Sequence, residues 1–154
     1  MWRIASLFWL LVGFGVNGAL YTRGTRWFIY TYTSDIEHAD TDASVYIILI
    51  DANGRQSDGI LLDVWLFNDF RQGARDSFDV GDEINLSDVC FIRIYHDNTG
   101  DSPGLHLEKV HIRNLRLRTT REFFCDFWVP TQEEERQSNR TIERSPPCSA
   151  GYLD

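Results

Sequence analysis

The chain has 154 residues, 43% of them hydrophobic and 14% aromatic, so it can fold as one domain around a modest core. Its formal net charge of −8 argues against a nucleic-acid partner, because phosphates demand a basic footprint. An anionic lipid surface is still compatible as a partner if a divalent cation bridges the lipid and the acidic chain.

The N-terminus has the pattern of a targeting segment. Arg3 precedes an apolar run from Ile4 to Val16, and small residues follow at Gly18 and Ala19. This pattern predicts a signal peptide over residues 1–19 and a secreted, extracellular protein. The alternative is an N-terminal membrane anchor, but the run is shorter than the ~20 residues that a spanning helix needs.

The three cysteines would meet an oxidising compartment if the chain is secreted. Cys90 and Cys125 each share strand parity with apolar neighbours, so both could face one core, bridged or simply buried. Cys148 lies in a proline-containing segment and could reach Cys125 or pair with another chain, giving a disulfide-linked dimer. An odd number of thiols leaves at least one outside any intramolecular bridge, and the sequence does not choose among these pairings.

Two sequons predict N-glycosylation of a secreted chain, at Asn85 and at Asn139.

Short alternating runs predict β-strands separated by turns. These runs are Trp27 to Tyr32, Val45 to Ile50, Ile60 to Leu62, Phe78 to Val80, Cys90 to Tyr95, Leu105 to Asn114 and Arg121 to Val129. The series favours an antiparallel β-sandwich, which we assign to residues 20–130. From Pro130 onward the composition shifts to Glu, Arg, Ser and Pro, so we expect residues 131–154 to form a disordered tail.

The sequence contains no G-x-S-x-G elbow, no H-E-x-x-H and no P-loop, and we therefore expect a binding protein and not an enzyme. Its chemistry-bearing residues are instead oxygen-rich loops. Asp35 to Asp42, Asn68-Asp69 and His96 to Asn98 each follow a predicted strand and could converge at one end of a sandwich. Carboxylate, amide and backbone oxygens are the ligands that Ca²⁺ prefers, although Asp and Asn are also the commonest turn residues.

An apolar stretch stands directly before Asn68-Asp69. Trp65, Leu66 and Phe67 could dip into a membrane interface or contact a partner, since aromatic rings are favoured at such interfaces. The competing interpretation is that strand alternation buries part of this stretch in the core.

Four ordered stretches resemble the PLAT domain, the lipoxygenase-homology β-sandwich of lipoxygenases, lipases and polycystins. They are YTYTSDIEHADTDASVYIILI, LLDVWLFNDFRQGARDSFDV, IRIYHDNTGDSPGLHLEKVHI and FFCDFWV. The resemblance implies an all-β fold, an eight-stranded antiparallel β-sandwich of two four-stranded sheets. It also implies binding to membranes or to protein partners, often with calcium at loops on one end.

Matching the family's motifs to this sequence, the resemblance implies seven calcium ligands: His38, Asp40, Thr41, Asp42, Asn68, Asp69 and Asp97. His38 and Asp40 would contribute backbone oxygens. Two positions depart from the family pattern. Asp40 stands where a glycine is usual, and Arg71 puts a cation where an acidic ligand is frequent. Trp128 matches a terminal F-x-C-x-x-W pattern and is expected in the core.

The function that these features favour is a secreted, non-enzymatic module that docks on lipid or membrane surfaces or on an extracellular protein, with Ca²⁺ as its cofactor. The alternative is a metal-independent protein–protein interaction domain that uses a sheet face. A third and weaker reading is an accessory domain of a lipoxygenase- or lipase-type enzyme.

Overall fold

A computed structural model describes residues 26–64, 67–81 and 84–148. The predicted signal peptide, residues 1–19, lies outside the described residues, as do Trp65 and Leu66. The elements in chain order are β1 (Trp27–Thr33), β2 (Val45–Ile50), β3 (Ile60–Leu62), β4 (Arg75–Asp79), β5 (Phe91–His96), β6 (His106–Asn114), β7 (Thr119–Trp128), α1 (Gln132–Ser138) and β8 (Ile142–Glu143).

The strands form two four-stranded sheets, and every pairing within them is antiparallel. The first sheet has the order β4-β1-β6-β7 and the second the order β3-β2-β5-β8. This arrangement confirms the predicted eight-stranded sandwich. The predicted strands all reappear, with bounds that differ by a few residues.

Alternation explains why these segments are strands. Along β1 each odd-numbered residue from Trp27 to Thr33 is buried and each even-numbered one is half-buried, because successive side chains point to opposite faces. The buried face packs against the other sheet. The core between the two sheets has Trp27 of β1, Ile47 of β2 and Phe123 of β7 among its largest fully buried side chains. Full burial of an aliphatic or aromatic side chain of this size contributes about 1.5–3 kcal/mol to stability.

The expectation for Trp128 is wrong. Its side chain is 51% exposed, and its ring contacts His106 edge-to-face with the ring centroids 5.1 Å apart. The reason is strand parity. From Phe123 to Trp128 burial along β7 alternates without a break, so Trp128 lies on the same exposed face as Phe124 and opposite the buried Phe123.

The expectation of a disordered tail over residues 131–154 is wrong for residues 131–148, and the remainder lies outside the described residues. Thr131 caps α1 in a reciprocal capping box with Glu134, which satisfies two free N–H groups at the start of the helix. Farther on, β8 pairs with β5. On the same segment Glu135 is buried, and its carboxylate lies 3.1 Å from the Arg93 guanidinium.

A disulfide joins Cys90 to Cys148, with a Cα–Cα distance of 5.5 Å. The proposed bridge from Cys148 to Cys125, and the dimer through Cys148, are therefore wrong. Cys125 is the free thiol among the described cysteines, and burial raises its pKa to about 12. A thiol so hard to ionise is a poor candidate for an intermolecular bridge.

None of the helices in the described part of the chain has the length and apolar character needed to cross a membrane.

Candidate functional site

Three loops meet at one end of the sandwich, because β1, β3 and β5 all finish there. These are residues 34–44, 63–74 and 97–105. Backbone hydrogen bonds tie them to one another. The Asp97 N–H donates to the Ser44 carbonyl at 3.0 Å, and the Gly73 N–H donates to the Ser34 carbonyl at 3.2 Å. The predicted convergence of oxygen-rich loops at one end is thus present.

A polar pocket of about 250 Å³ opens between two of these loops. Its lining consists of Thr41, Asp42, Ala43, Ser44, Leu61, Leu62, Asp63, Phe67, Asn68, Asp69 and Phe70. Five predicted site residues are among them: Thr41, Asp42, Phe67, Asn68 and Asp69. Asp63 and Leu61 were not predicted, although both stand where the third predicted strand runs into the Trp65–Asp69 stretch, and that position was the available signal.

Asp42 is held by backbone groups of the loop after β5. Its two carboxylate oxygens accept the N–H groups of Asp101 and Ser102, at 2.8 and 3.0 Å. These two bonds lower the pKa of Asp42, so the carboxylate is ionised at neutral pH. The close approach depends on Gly100, whose φ is +84°, because a Cβ at this position would collide with the Asp42 carboxylate.

Asp69 is in the opposite electrostatic situation. Burial raises its pKa against the effect of the Val64 N–H, which donates to Oδ2 at 2.7 Å. The negative charges of Asp76 and Asp63 raise the pKa further. A positive ion near this group would relieve that repulsion, since opposite charge favours the ionised form.

Asp97 serves its own loop instead of the pocket. Oδ1 accepts the Ser44 and Thr99 N–H groups and the Thr99 hydroxyl, the last at 2.6 Å. Burial opposes ionisation, but these hydrogen bonds prevail and the pKa of Asp97 is lowered. His38 and Asp40 are exposed and do not line the pocket either. The structure therefore brings together four of the seven predicted calcium ligands.

The pocket fits calcium in the chemistry of its donors. The carboxylates of Asp42, Asp63 and Asp69 and the amide of Asn68 are hard oxygen donors, which Ca²⁺ prefers. However, no three His, Cys, Asp or Glu side chains among the described residues are grouped closely enough to hold a metal ion. A bound ion would thus need backbone oxygens or water to complete its shell. Arg71 is exposed and does not line the pocket, so it does not block this site.

The rim of the pocket is apolar. Phe67 is 74% exposed and Leu61 is 48% exposed, although large apolar side chains are usually buried. Phe67 belongs to the stretch predicted to contact a membrane or a partner. Burial in the core, which was the competing interpretation, does not apply to it.

The two sequons lie elsewhere. Asn85 is exposed in the loop before β5. Asn139 is exposed at the C-cap of α1, with a positive φ of 47°, and its side-chain oxygen accepts a hydrogen bond from Arg93.

Comparison with known proteins gives consistent relatives. Lipoxygenase homology domain-containing protein 1 of Mus musculus is 34% identical over 125 residues, which are 81% of this chain and 6% of that protein. Polycystin-1-like protein 3 of Mus musculus is 30% identical over 105 residues, 68% of this chain and 5% of that protein. The chain therefore spans a small fraction of these relatives.

Among solved structures, a coral 8R-lipoxygenase with calcium activation via a C2-like domain matches with a TM-score of 0.66 and 26% identity. The match covers 77% of this chain and 17% of that one. The PLAT/LH2 domain model matches residues 27–143, which include all eight strands and the pocket. The chain belongs to the PLAT/LH2 domain family, a family of non-catalytic modules that bind lipids or proteins.

Proposed function

We propose that this domain docks on a lipid surface through the pocket end, and that calcium supports the docking. The main observation in support is that Phe67 and Leu61 are exposed on the rim of a pocket that is lined by three carboxylates. Apolar side chains beside a charged site can enter the membrane interface while the polar groups stay at headgroup level.

Asp42, Asn68 and Asp69 would hold the ion, with Asp63 beside them. Asp42 supplies a carboxylate already oriented by Asp101 and Ser102. Asp69 supplies a second carboxylate, which among the described residues accepts a hydrogen bond from the Val64 N–H and none from a cationic side chain. Calcium, when bound, would neutralise this acidic pocket and offer positive charge to lipid phosphates. The calcium activation named for the coral lipoxygenase supports this proposal.

We also propose that the protein works outside the cell. The Cys90–Cys148 disulfide supports this location, because such bonds persist in oxidising compartments. The signal-peptide pattern of residues 1–19 supports it as well.

Calcium titration with calorimetry and thermal unfolding tests the metal. Wild type should release or absorb heat and unfold at a higher temperature with calcium, because a ligand of the folded state stabilises it. Asp42→Asn and Asp69→Asn should lose this response, whereas Asp58→Asn, an exposed carboxylate outside the pocket, should keep it. A wild type without heat or stabilisation would refute the calcium proposal.

Vesicle sedimentation tests the docking. Phe67→Ser should weaken calcium-dependent binding to phosphatidylserine-containing vesicles. Phe124→Ser is a matched control, since Phe124 is 59% exposed on the outer face of the first sheet. Equal losses in both variants would show that the pocket rim has no special role.

One observation favours the metal-independent alternative. The outer face of the first sheet carries Phe28, Tyr30 and Tyr32 along β1, with Arg75 stacked over both tyrosines at 4.5 and 5.7 Å from the ring centroids. Aromatic and arginine side chains are enriched at protein–protein interfaces. Binding to an extracellular protein that persists in chelator and is lost in Tyr30→Ala would favour this function over lipid docking.

A further inference from the structure

The turn between β6 and β7 lies at the end of the sandwich opposite the pocket. Its backbone is anchored where β1 begins, because the Leu115 N–H donates to the Arg26 carbonyl at 3.0 Å. β6 has nine residues between the two ends, a span of about 30 Å at ~3.3 Å per residue. We call residues Arg113, Leu115, Arg116, Leu117 and Arg118 the arginine–leucine tip.

The three arginines of the tip are exposed, and their side chains have no partner among the described residues. No ion pair, side-chain hydrogen bond or ring contact within the described residues involves Arg113, Arg116 or Arg118. Asp79, in the same cross-strand row as Arg113, already pairs with Arg26.

Most arginines elsewhere in the described part of the chain have side-chain partners. Arg55, Arg93, Arg121 and Arg144 each contact a carboxylate. The tip is therefore a local concentration of unneutralised positive charge on a chain whose net charge is −8. Such a reversal of sign indicates an anionic partner.

The tip also exposes apolar side chains and is fixed in shape. Leu115 is 39% and Leu117 53% exposed. The Leu117 N–H donates to Oδ1 of Asn114 at 3.0 Å, and Asn114 itself is 2% exposed. The buried Asn114 side chain thus fixes the backbone of the turn at Leu117, whose own side chain stays exposed.

We propose that the arginine–leucine tip is a second docking site, specific for anionic lipid bilayers and independent of calcium. Arg113, Arg116 and Arg118 bind headgroup phosphates, and Leu115 and Leu117 enter the acyl boundary. The aliphatic part of an arginine side chain can lie along apolar surface while its guanidinium group reaches the headgroup layer of the bilayer. The alternation of arginine and leucine therefore suits the membrane–water interface. The leucines favour a bilayer over an acidic protein patch, which would leave them in water.

Vesicle sedimentation in chelator tests this site without the pocket. The probes are vesicles of phosphatidylcholine alone and of phosphatidylcholine mixed with phosphatidylserine. The full chain should bind only the mixed vesicles, and added salt should weaken binding because it screens exposed charges. The double variant Arg116→Gln/Arg118→Gln should lower the partition coefficient by about 25-fold, since each surface arginine is worth about fivefold.

Two further variants separate charge from contact. Leu117→Ser should weaken binding while leaving the salt dependence in place. Arg136→Gln, an exposed arginine in the last turn of α1, should change the partition coefficient by less than about twofold. The far-ultraviolet circular dichroism of all variants should match wild type, because each altered side chain is exposed and none forms a side-chain hydrogen bond, salt bridge or ring contact within the described residues.

Three outcomes would overturn the proposal: absence of binding to mixed vesicles in chelator, equal losses in the tip and Arg136 variants, or tip-dependent self-association in place of vesicle binding. The last outcome would identify a second copy of this chain as the partner. Failure of calcium titration leaves these results unaffected, so the two docking proposals stand or fall separately.

Discussion

Removal of the Cys90–Cys148 disulfide by Cys148→Ser should destabilise the domain strongly. The bridge closes a loop with a sequence separation of 58 residues, which includes β5, β6, β7, α1 and β8. Opening the bridge restores conformational entropy to the unfolded chain. For a loop of this length the entropy model gives about 4 kcal/mol at 25 °C.

Chemical denaturation checks this magnitude. The free energy of unfolding from guanidinium titration should fall by about 4 kcal/mol in Cys148→Ser, with the thermal midpoint lower by about 15 °C. Reductant should lower the stability of wild type to that of the variant and leave the variant unchanged. Cys125→Ala is the control, because it removes the free thiol and keeps the bridge.

The reasoning would be refuted by a loss below about 1 kcal/mol with the bridge confirmed in wild type by mass spectrometry. It would equally be refuted if Cys125→Ala were the more damaging change.

Three further changes test particular contacts. In thermal melts Gly100→Ala should destabilise the protein more than Gly54→Ala does. Both glycines have positive φ, which costs about 1–2 kcal/mol for an alanine, but of these two positions only Gly100 would place its Cβ against the Asp42 carboxylate. Equal effects would contradict this. Asp88→Asn should lower the free energy of unfolding by about 1–3 kcal/mol at neutral pH, because two arginines bind this carboxylate. Burial alone would raise the pKa of Asp88, but the arginines lower it below the unfolded value of 3.8. The ionised carboxylate therefore stabilises the fold above pH 3.8, and this stabilisation is lost as the pH falls through the folded pKa. The free energies of unfolding of wild type and variant, measured by urea titration, should therefore become equal in acid. A difference that does not change with pH would argue against the ion pairs. Thr131→Ala should lower stability by about 1 kcal/mol through loss of the capping box, with rescue by Thr131→Ser; no change in urea midpoint would show that α1 frays without consequence.

The strands could be predicted because the two-residue alternation of side chains is a local property of the sequence, and the burial of successive residues follows the same alternation. The helix α1 was missed although Thr131-x-x-Glu134 is a capping-box pattern, because the following residues offer no apolar stripe. The contacts that hold this segment are nonlocal: a disulfide to Cys90 and an ion pair between Glu135 and Arg93. Composition alone cannot reveal such partners.

The candidate site was predictable only in part, for a similar reason. Asp42 and Asp69 were identified because oxygen-rich residues follow strands that finish at one end. Asp97 stands at an equivalent position, yet the Thr99 hydroxyl and two backbone N–H groups occupy Oδ1. Whether a loop carboxylate faces a pocket or closes its own turn depends on the hydrogen bonds around it, which one sequence does not specify.

The pairing of β8 with β5 has a consequence for association between chains. Without β8, one side of β5 would present unpaired N–H and C=O groups, and a strand rich in Phe and Ile with such an edge can recruit other chains. The C-terminal segment covers part of this edge through the bonds of Phe91 and Ile92, while α1 packs along the rest of β5. The segment for which composition predicted disorder thus protects the second sheet from edge-to-edge aggregation, and the disulfide anchors that segment to the chain just before β5.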